Sequence, residues 1–483
     1  MTDELTLDPK DWSQIRSLGK RMIDDMVDHM EGLREQPVWQ SPDATSRDVL
    51  SGPPPEDGSD LEDVYAEFRD HILPYPTGNA HPRFFGWVKG NGTPTGMLAD
   101  MLASGMNAHV AGYDQSAAMV EKNVIDWMRQ WMGFPIGADG VLVSGGTMAN
   151  INGFAVARAA AAGPDFRENG HFAPGARQMT AYGSAETHSW ILKACELMGL
   201  GRSAFRAIRV DTNYRVNIPA MRAAIKADIE AGHQPFCIIG TAGTVGTGAT
   251  DDLKGLRALA DEFGLWFHID GAFGALAAIA PEARQLVEGQ ETADSLAFDL
   301  HKWGYLPFEA ACVLIRDGQK QADTFGMSPA YLKAQSRGLS VEGTWFADRG
   351  LQLSRGFRAL KIWMCFKEYG VAKVGALIDQ NIHQAKAFGE MVAAHDDLEC
   401  LAPVPMNIVC FRYASAPAEN LNAVNQEILM RIQESGFAVP SQTMIGEDFA
   451  IRVCITNHRT RMSDLEELVE QISLTGKAVC EGR

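Results

Sequence analysis

The sequence predicts an α/β protein: a large domain built on a mostly parallel sheet, followed by a small α+β domain. Three observations predict it. Between about 120 and 320, short runs that are apolar on both faces alternate with helical patterns, as in a parallel sheet covered on both sides. After about 370 the alternation changes to a few longer helices and fewer strands. Ahead of both lies an amphipathic helix with a proline-rich linker.

The elements follow in order. Ile15, Leu18, Met22, Ile23, Met26, Met30 and Leu33 form one apolar stripe on a helix over 12–33. The breaker cluster Ser51-Gly-Pro-Pro-Pro-Glu-Asp-Gly58 makes an extended linker. Such a helix cannot hide its apolar face alone, so it docks on the main body or on a second subunit; the second is expected. Helices are expected over 117–132 and 147–162. Strands are expected at Val141–Val143, Met179–Tyr182, Ala207–Val210, Phe236–Ile239, Leu265–Ile269, Ser295–Phe298 and Ala311–Ile315. The last part reads as helix 373–393, strand Ile408–Phe411, helix 420–434, strand Ala450–Cys454 and helix 463–478. There are no internal repeats and no low-complexity tracts.

The 483 residues allow two to four domains at roughly 100–200 residues each. With 46% hydrophobic and 22% charged residues the chain is globular rather than disordered. A net charge of −18 repels phosphate backbones and anionic lipid, so neither a nucleic-acid nor a membrane-surface partner is expected. The eight cysteines form no C-x-x-C pair, and several sit in apolar runs. That suits buried free thiols in a reducing compartment. The acidic start, Met-Thr-Asp-Glu-Leu, is no targeting peptide, and no run has the length of a membrane span. A cytoplasmic, soluble protein is expected.

Three features could carry chemistry. Gly145-Gly146-Thr147 follows a strand and opens a helix, where backbone N–H groups and the helix dipole favour an anion; a tight turn with no ligand reads the same way. Asp270 ends a buried strand and points into the crevice at the sheet's C-terminal edge, or caps the next helix. A metal reading of His268-Ile-Asp270 lacks a recognisable third ligand, so no metal is expected. Lys302, after His301 and a strand end, is either a reactive amine or a solvated surface lysine. Together the three supply what pyridoxal phosphate needs: a phosphate cradle, a carboxylate for the ring nitrogen and an amine for a Schiff base.

Ala293-Asp-Ser-Leu-Ala-Phe-Asp-Leu-His-Lys-Trp303 resembles the lysine segment of the group II pyridoxal-phosphate-dependent amino acid decarboxylases. So do His81-Pro-Arg-Phe-Phe85, Ser144-Gly-Gly-Thr147, Glu186-Thr-His-Ser189, Gly240-Thr-Ala-Gly-Thr244, His268-Ile-Asp-Gly-Ala272 and Ser354-Arg-Gly-Phe-Arg-Ala-Leu-Lys361, in order and spacing. The resemblance covers about 15 to 475 and is nearest the aromatic-L-amino-acid decarboxylases. It implies the fold-type I architecture (aspartate aminotransferase-like), with a seven-stranded sheet, an N-terminal helical arm and linker over 1–85 that interlocks a homodimer with shared active sites, a large cofactor domain over 86–370 and a small domain over 371–483.

The resemblance also implies roles. Lys302 would hold the cofactor, Asp270 would pair with the pyridinium nitrogen, His188 would stack on the ring and Ala272 would pack on its other face. Thr147, Met148 and Ala149 would hold the phosphate, with Asp299 and His301 nearby, and Thr241 would lie near the ring substituents. Tyr331, in Ser328-Pro-Ala-Tyr-Leu-Lys333, would deliver a proton to Cα after carbon dioxide leaves; its presence favours decarboxylation over oxidative deamination to an aldehyde. A packed loop aromatic is the alternative. For the substrate pocket the resemblance points to Trp87, Val88 and Lys89, to His109 and Ala111, and to Ser354 and Arg355. Lys89 and Ala111 stand where relatives carry apolar bulk, which implies a wider, more polar pocket. Lys89 is either solvated or faces an acidic substrate. The implied activity is decarboxylation of an aromatic L-amino acid, with acidic or other polar substrates and an aldehyde synthase as alternatives.

Overall fold

The computed structural model describes residues 4–327, 337–339 and 344–482. Seven strands form the main sheet: β1 Asp139–Val143, β2 Met179–Ser184, β3 Phe205–Ile208, β4 Gln234–Thr241, β5 Trp266–Asp270, β6 Ser295–Asp299 and β7 Ala311–Ile315. Their order is β1-β7-β6-β5-β4-β2-β3. β7 runs antiparallel to both its neighbours, and every other pairing is parallel.

The alternation of side chains builds two faces. Leu142, Ile238, Phe267, Ile269, Leu296 and Phe298 pack with the helices Ser116–Trp131, Ile218–Glu230 and Leu253–Phe263. Val141, Val143, Ala181, Cys237 and Ile239 face the other way, onto the helices Gly146–Ala162 and Trp190–Leu197. By that period of two, His268 and Asp270 lie on the second face.

The four remaining strands, β8 Leu398–Cys400, β9 Ile408–Tyr413, β10 Ser441–Ile445 and β11 Asp448–Cys454, form an antiparallel sheet in the order β10-β11-β9-β8. It packs with the helices Leu421–Glu434 and Met462–Cys480. Phe85, far away in sequence, is buried in the same cluster.

Several boundaries differ from the sequence reading. β3 begins two residues earlier than expected and ends at Ile208; Val210 instead makes an isolated bridge to Val216. The helix expected over 373–393 is the second half of Ala359–Ala394, interrupted at Gly370, whose φ of 74° only glycine adopts readily. β8 and β10 are short and half-exposed, too weakly patterned to read. In the N-terminal helix, Trp12–Glu31, only Leu18 is buried; Ile15 is exposed and the Met22, Ile23, Met26 and Met30 side chains are half-covered. No helix among the described residues is long and apolar enough to cross a membrane.

Candidate active site

A cavity of about 450 Å³ opens at the C-terminal ends of β2, β4, β5 and β6 and at the start of the helix Gly146–Ala162. Parallel strands end here, so their backbone dipoles and helix N-termini converge on one crevice.

Asp270, the last residue of β5, is buried. Its Oδ2 accepts a hydrogen bond from Trp190 Nε1 at 2.7 Å and its Oδ1 one from the Ala272 N–H at 3.1 Å. Two donors fix the carboxylate in place. Two residues back on the same face, His268 has both nitrogens engaged, Nδ1 with Ser295 Oγ and Nε2 with Asn150 Oδ1, each at 2.7 Å. Burial holds its pKa down to about 4, so it is neutral. His268 thus ties β5 to β6 and to the helix above.

Lys302 Nζ lies 2.8 Å from Asp299 Oδ2. His301 is buried, which lowers its pKa; its Nδ1 is 2.9 Å from the Ala310 carbonyl oxygen and its ring lies 4.4 Å from that of Phe308. At the helix start, Gly145 is extended and makes no side-chain cap. A Cβ on Gly146 would come within 2.9 Å of Asp299 Oδ2 and 3.3 Å of Ala272 Cβ, so glycine keeps this cradle open.

Thr147, Met148, His188, Thr241, Asp270, Ala272, Asp299, His301 and Lys302 all line this one cavity, with Trp87 and Val88 at its side. Ala149 does not line it. It is fully buried and its N–H donates to the Gly145 carbonyl at 3.0 Å, the first bond of the helix, so that amide is not free for a phosphate. Tyr331 lies outside the described residues.

The expected substrate residues divide. Lys89 is not in the wall. Its ammonium stacks 4.9 Å from the Trp87 ring and 5.7 Å from that of Phe84, and burial lowers its pKa. His109, Ala111 and Ser354 also lie off the cavity. Arg355 corrects the expectation of a substrate-pocket residue: it is 4% exposed and ion-paired with the buried Glu121, and it donates to the Val110 and Leu142 carbonyls at 2.7 Å each. Its charge is spent inside the protein.

The sequence reading assigned no role to Trp190, which aims Asp270, or to Asn150, Glu186 and Glu309, which join the wall. Trp190 sits two residues after His188, and only the folded register shows that its indole N–H reaches β5. Gly90 was missed too: a Cβ there would fall 1.4 Å from the His301 carbonyl oxygen.

The residues fit pyridoxal phosphate on three counts. Thr241 Oγ1 and Asp299 Oδ1 are buried at the cavity without partners. The helix start is kept clear by glycine. A strand-end carboxylate and a strand-end amine stand on neighbouring strands. Such a site on such a sheet defines an enzyme working through pyridoxal phosphate.

Residues 45–414 match the model of the pyridoxal-dependent decarboxylase conserved domain. The chain belongs to that family. It is 34% identical to an aromatic-L-amino-acid decarboxylase of Bacillus atrophaeus over 97% of this chain and 98% of that one. It superposes on Oryza sativa TDC, solved with PLP and tryptamine, with a TM-score of 0.90 at 27% identity, over 98% of this chain and all of that one. A 4-hydroxyphenylacetaldehyde synthase of Rhodiola rosea gives 0.87 at 27% identity, with the same coverage. The protein is a lyase, a pyridoxal-phosphate-dependent amino acid decarboxylase.

Proposed function

We propose that the enzyme converts an aromatic L-amino acid to its amine and carbon dioxide. The observation that carries the reading is the single cavity holding Lys302, the Trp190-aimed Asp270 and His188, in a chain similar along its whole length to an aromatic-L-amino-acid decarboxylase.

When bound, pyridoxal phosphate supplies the sink for the electron pair left as the Cα–carboxylate bond breaks. Thr147 and Met148 at the helix start, with His301, hold its phosphate. Asp270, held in place by the Trp190 and Ala272 donors, would face the ring nitrogen. Lys302 would supply the attaching amine, and Asp299 Oδ2, 2.8 Å from its Nζ, positions it. His188, exposed at the cavity, would stack over the ring and orient the scissile bond. Tyr331 donates the proton that replaces the carboxylate on Cα, so one proton enters for each carbon dioxide that leaves.

The purified protein should carry a visible absorption band, and Lys302→Ala should abolish both the band and turnover. Carbon dioxide release by that variant at the normal rate would sink the assignment. The likeness to an aldehyde synthase favours a second reading on the same site, oxidative deamination. Peroxide and aldehyde measured against amine decide between them, and a predominance of aldehyde would remove the role given to Tyr331.

The enzyme is proposed to act as a homodimer with shared sites, divided at 1–85, 86–370 and 371–483. The incompletely covered N-terminal stripe supports the first. So does the position of His109 and Ser354, exposed and outside this chain's own cavity; Ala111 is fully buried and lends no such support. The interruption at Gly370 supports the second boundary. All eight cysteines are free, which supports a cytoplasmic location. Sedimentation at micromolar concentration should give twice the chain mass.

A further inference from the structure

Four carboxylates line the cavity: Asp270, Asp299, Glu186 and Glu309. Three are compensated. Asp270 has its two N–H donors, Asp299 has Lys302, and Glu309 is ion-paired with Arg358. Glu186 is half-buried, and among the described residues its carboxylate has no hydrogen-bond or ion-pair partner. Its backbone N–H is tied to Ser184 Oγ at 2.9 Å, which fixes the turn after β2. A Cβ on Gly246 would sit 3.1 Å from Glu186 Oε2, so the glycine turn leaves this carboxylate its place in the wall. Burial raises its pKa, the mark of a charge that the protein leaves unsatisfied.

The cofactor does not supply the missing partner. Its phosphate is an anion, its ring nitrogen would face Asp270, and its ring hydroxyl would lie by Thr241, whose buried Oγ1 is itself without a partner. The substrate's α-amino group belongs beside Lys302, after β6. Glu186 follows β2, separated from β6 by β5 and β4 in the sheet, and lines the same cavity as Lys302. What can reach Glu186 is the far end of the substrate.

We propose that Glu186 is a specificity residue that accepts a hydrogen bond from a donor on the substrate's side chain, so that this enzyme selects amino acids with a ring N–H or O–H over phenylalanine. The inference rests on the proposed function and names the substrate class within it.

The test compares kcat/KM for tyrosine and tryptophan with that for phenylalanine, in the holoenzyme and in Glu186→Leu and Glu186→Gln. A hydrogen bond to a charged acceptor is worth about 10–100-fold. The tyrosine-to-phenylalanine ratio should fall by about that factor in Glu186→Leu and by less in Glu186→Gln, which keeps an acceptor. Equilibrium binding of tyramine against phenylethylamine should show the same loss of preference without any turnover. If Glu186→Leu fails to fold, the Gln variant and the wild-type binding ratio still decide. An unchanged ratio, or an equal loss for all three amino acids, overturns the inference. Failure to form amine from any amino acid would instead overturn the proposed function, a different result.

Discussion

Trp190 shows at the level of one residue how the site is tuned. Its indole N–H is one of two donors on the Asp270 carboxylate. Trp190→Phe removes that donor beside a buried charge, worth about 1.5–3 kcal/mol. Cofactor retention in an equilibrium dialysis should weaken by roughly ten- to a hundredfold, while Lys302 is untouched. Arg355 gives the opposite case, a cation that looks like a ligand and is structural. Arg355→Leu leaves Glu121 buried without its partner, which costs about 3–5 kcal/mol; chemical denaturation should read that loss. Lys302 and Asp270 stood out in the sequence because Asp270 ends one short apolar strand and Lys302 comes three residues after another. Arg355 was not, because its partner lies 234 positions away and nothing local marks the pair. Lys89 was half legible: its departure from apolar bulk is visible, but the aromatic rings under its ammonium are not.

Among elements, the helix Gly146–Ala162 does two jobs. Its first turn lines the cavity, and its middle packs on β5 through Gly153, where a Cβ would lie 2.7 Å from the His268 ring. Gly153→Ala therefore forces helix and strand apart, at about 1–3 kcal/mol, and thermal melts should fall accordingly. Gly90→Ala should act on function instead. The added methyl meets the His301 carbonyl, so cofactor affinity should drop in fluorescence titrations. The order of strands and helices through the large sheet was readable because buried parallel strands are apolar on both faces. The edge strands of the second sheet were not, since they are short and partly exposed.

For the molecule as a whole, burial sets the acid limit. His81, His268 and His458 are held neutral, each with its pKa lowered to about 4. A lowered histidine stabilises the fold fully above its unfolded pKa near 6.5, and the contribution is lost as pH falls toward 4. Melting temperature should therefore decline between pH 6.5 and 4, and a curve flat across that window would contradict the burial of these rings. The strip from Arg83 to Gly90 adds a constraint of another kind. Arg83 and Phe85 bond to the backbone of Val439, Cys454 bonds to Phe85, and Gly90 lies against His301. A recombinant fragment started at residue 86 would lose the Phe85 side chain from the cluster around Phe411, Ile451 and Val453 and strip partners from Val439 and Cys454. The exposed apolar surface and free backbone groups invite self-association. Shortened versions for crystallisation or engineering should keep residues 83–90, because a cut inside them yields aggregate rather than a smaller enzyme.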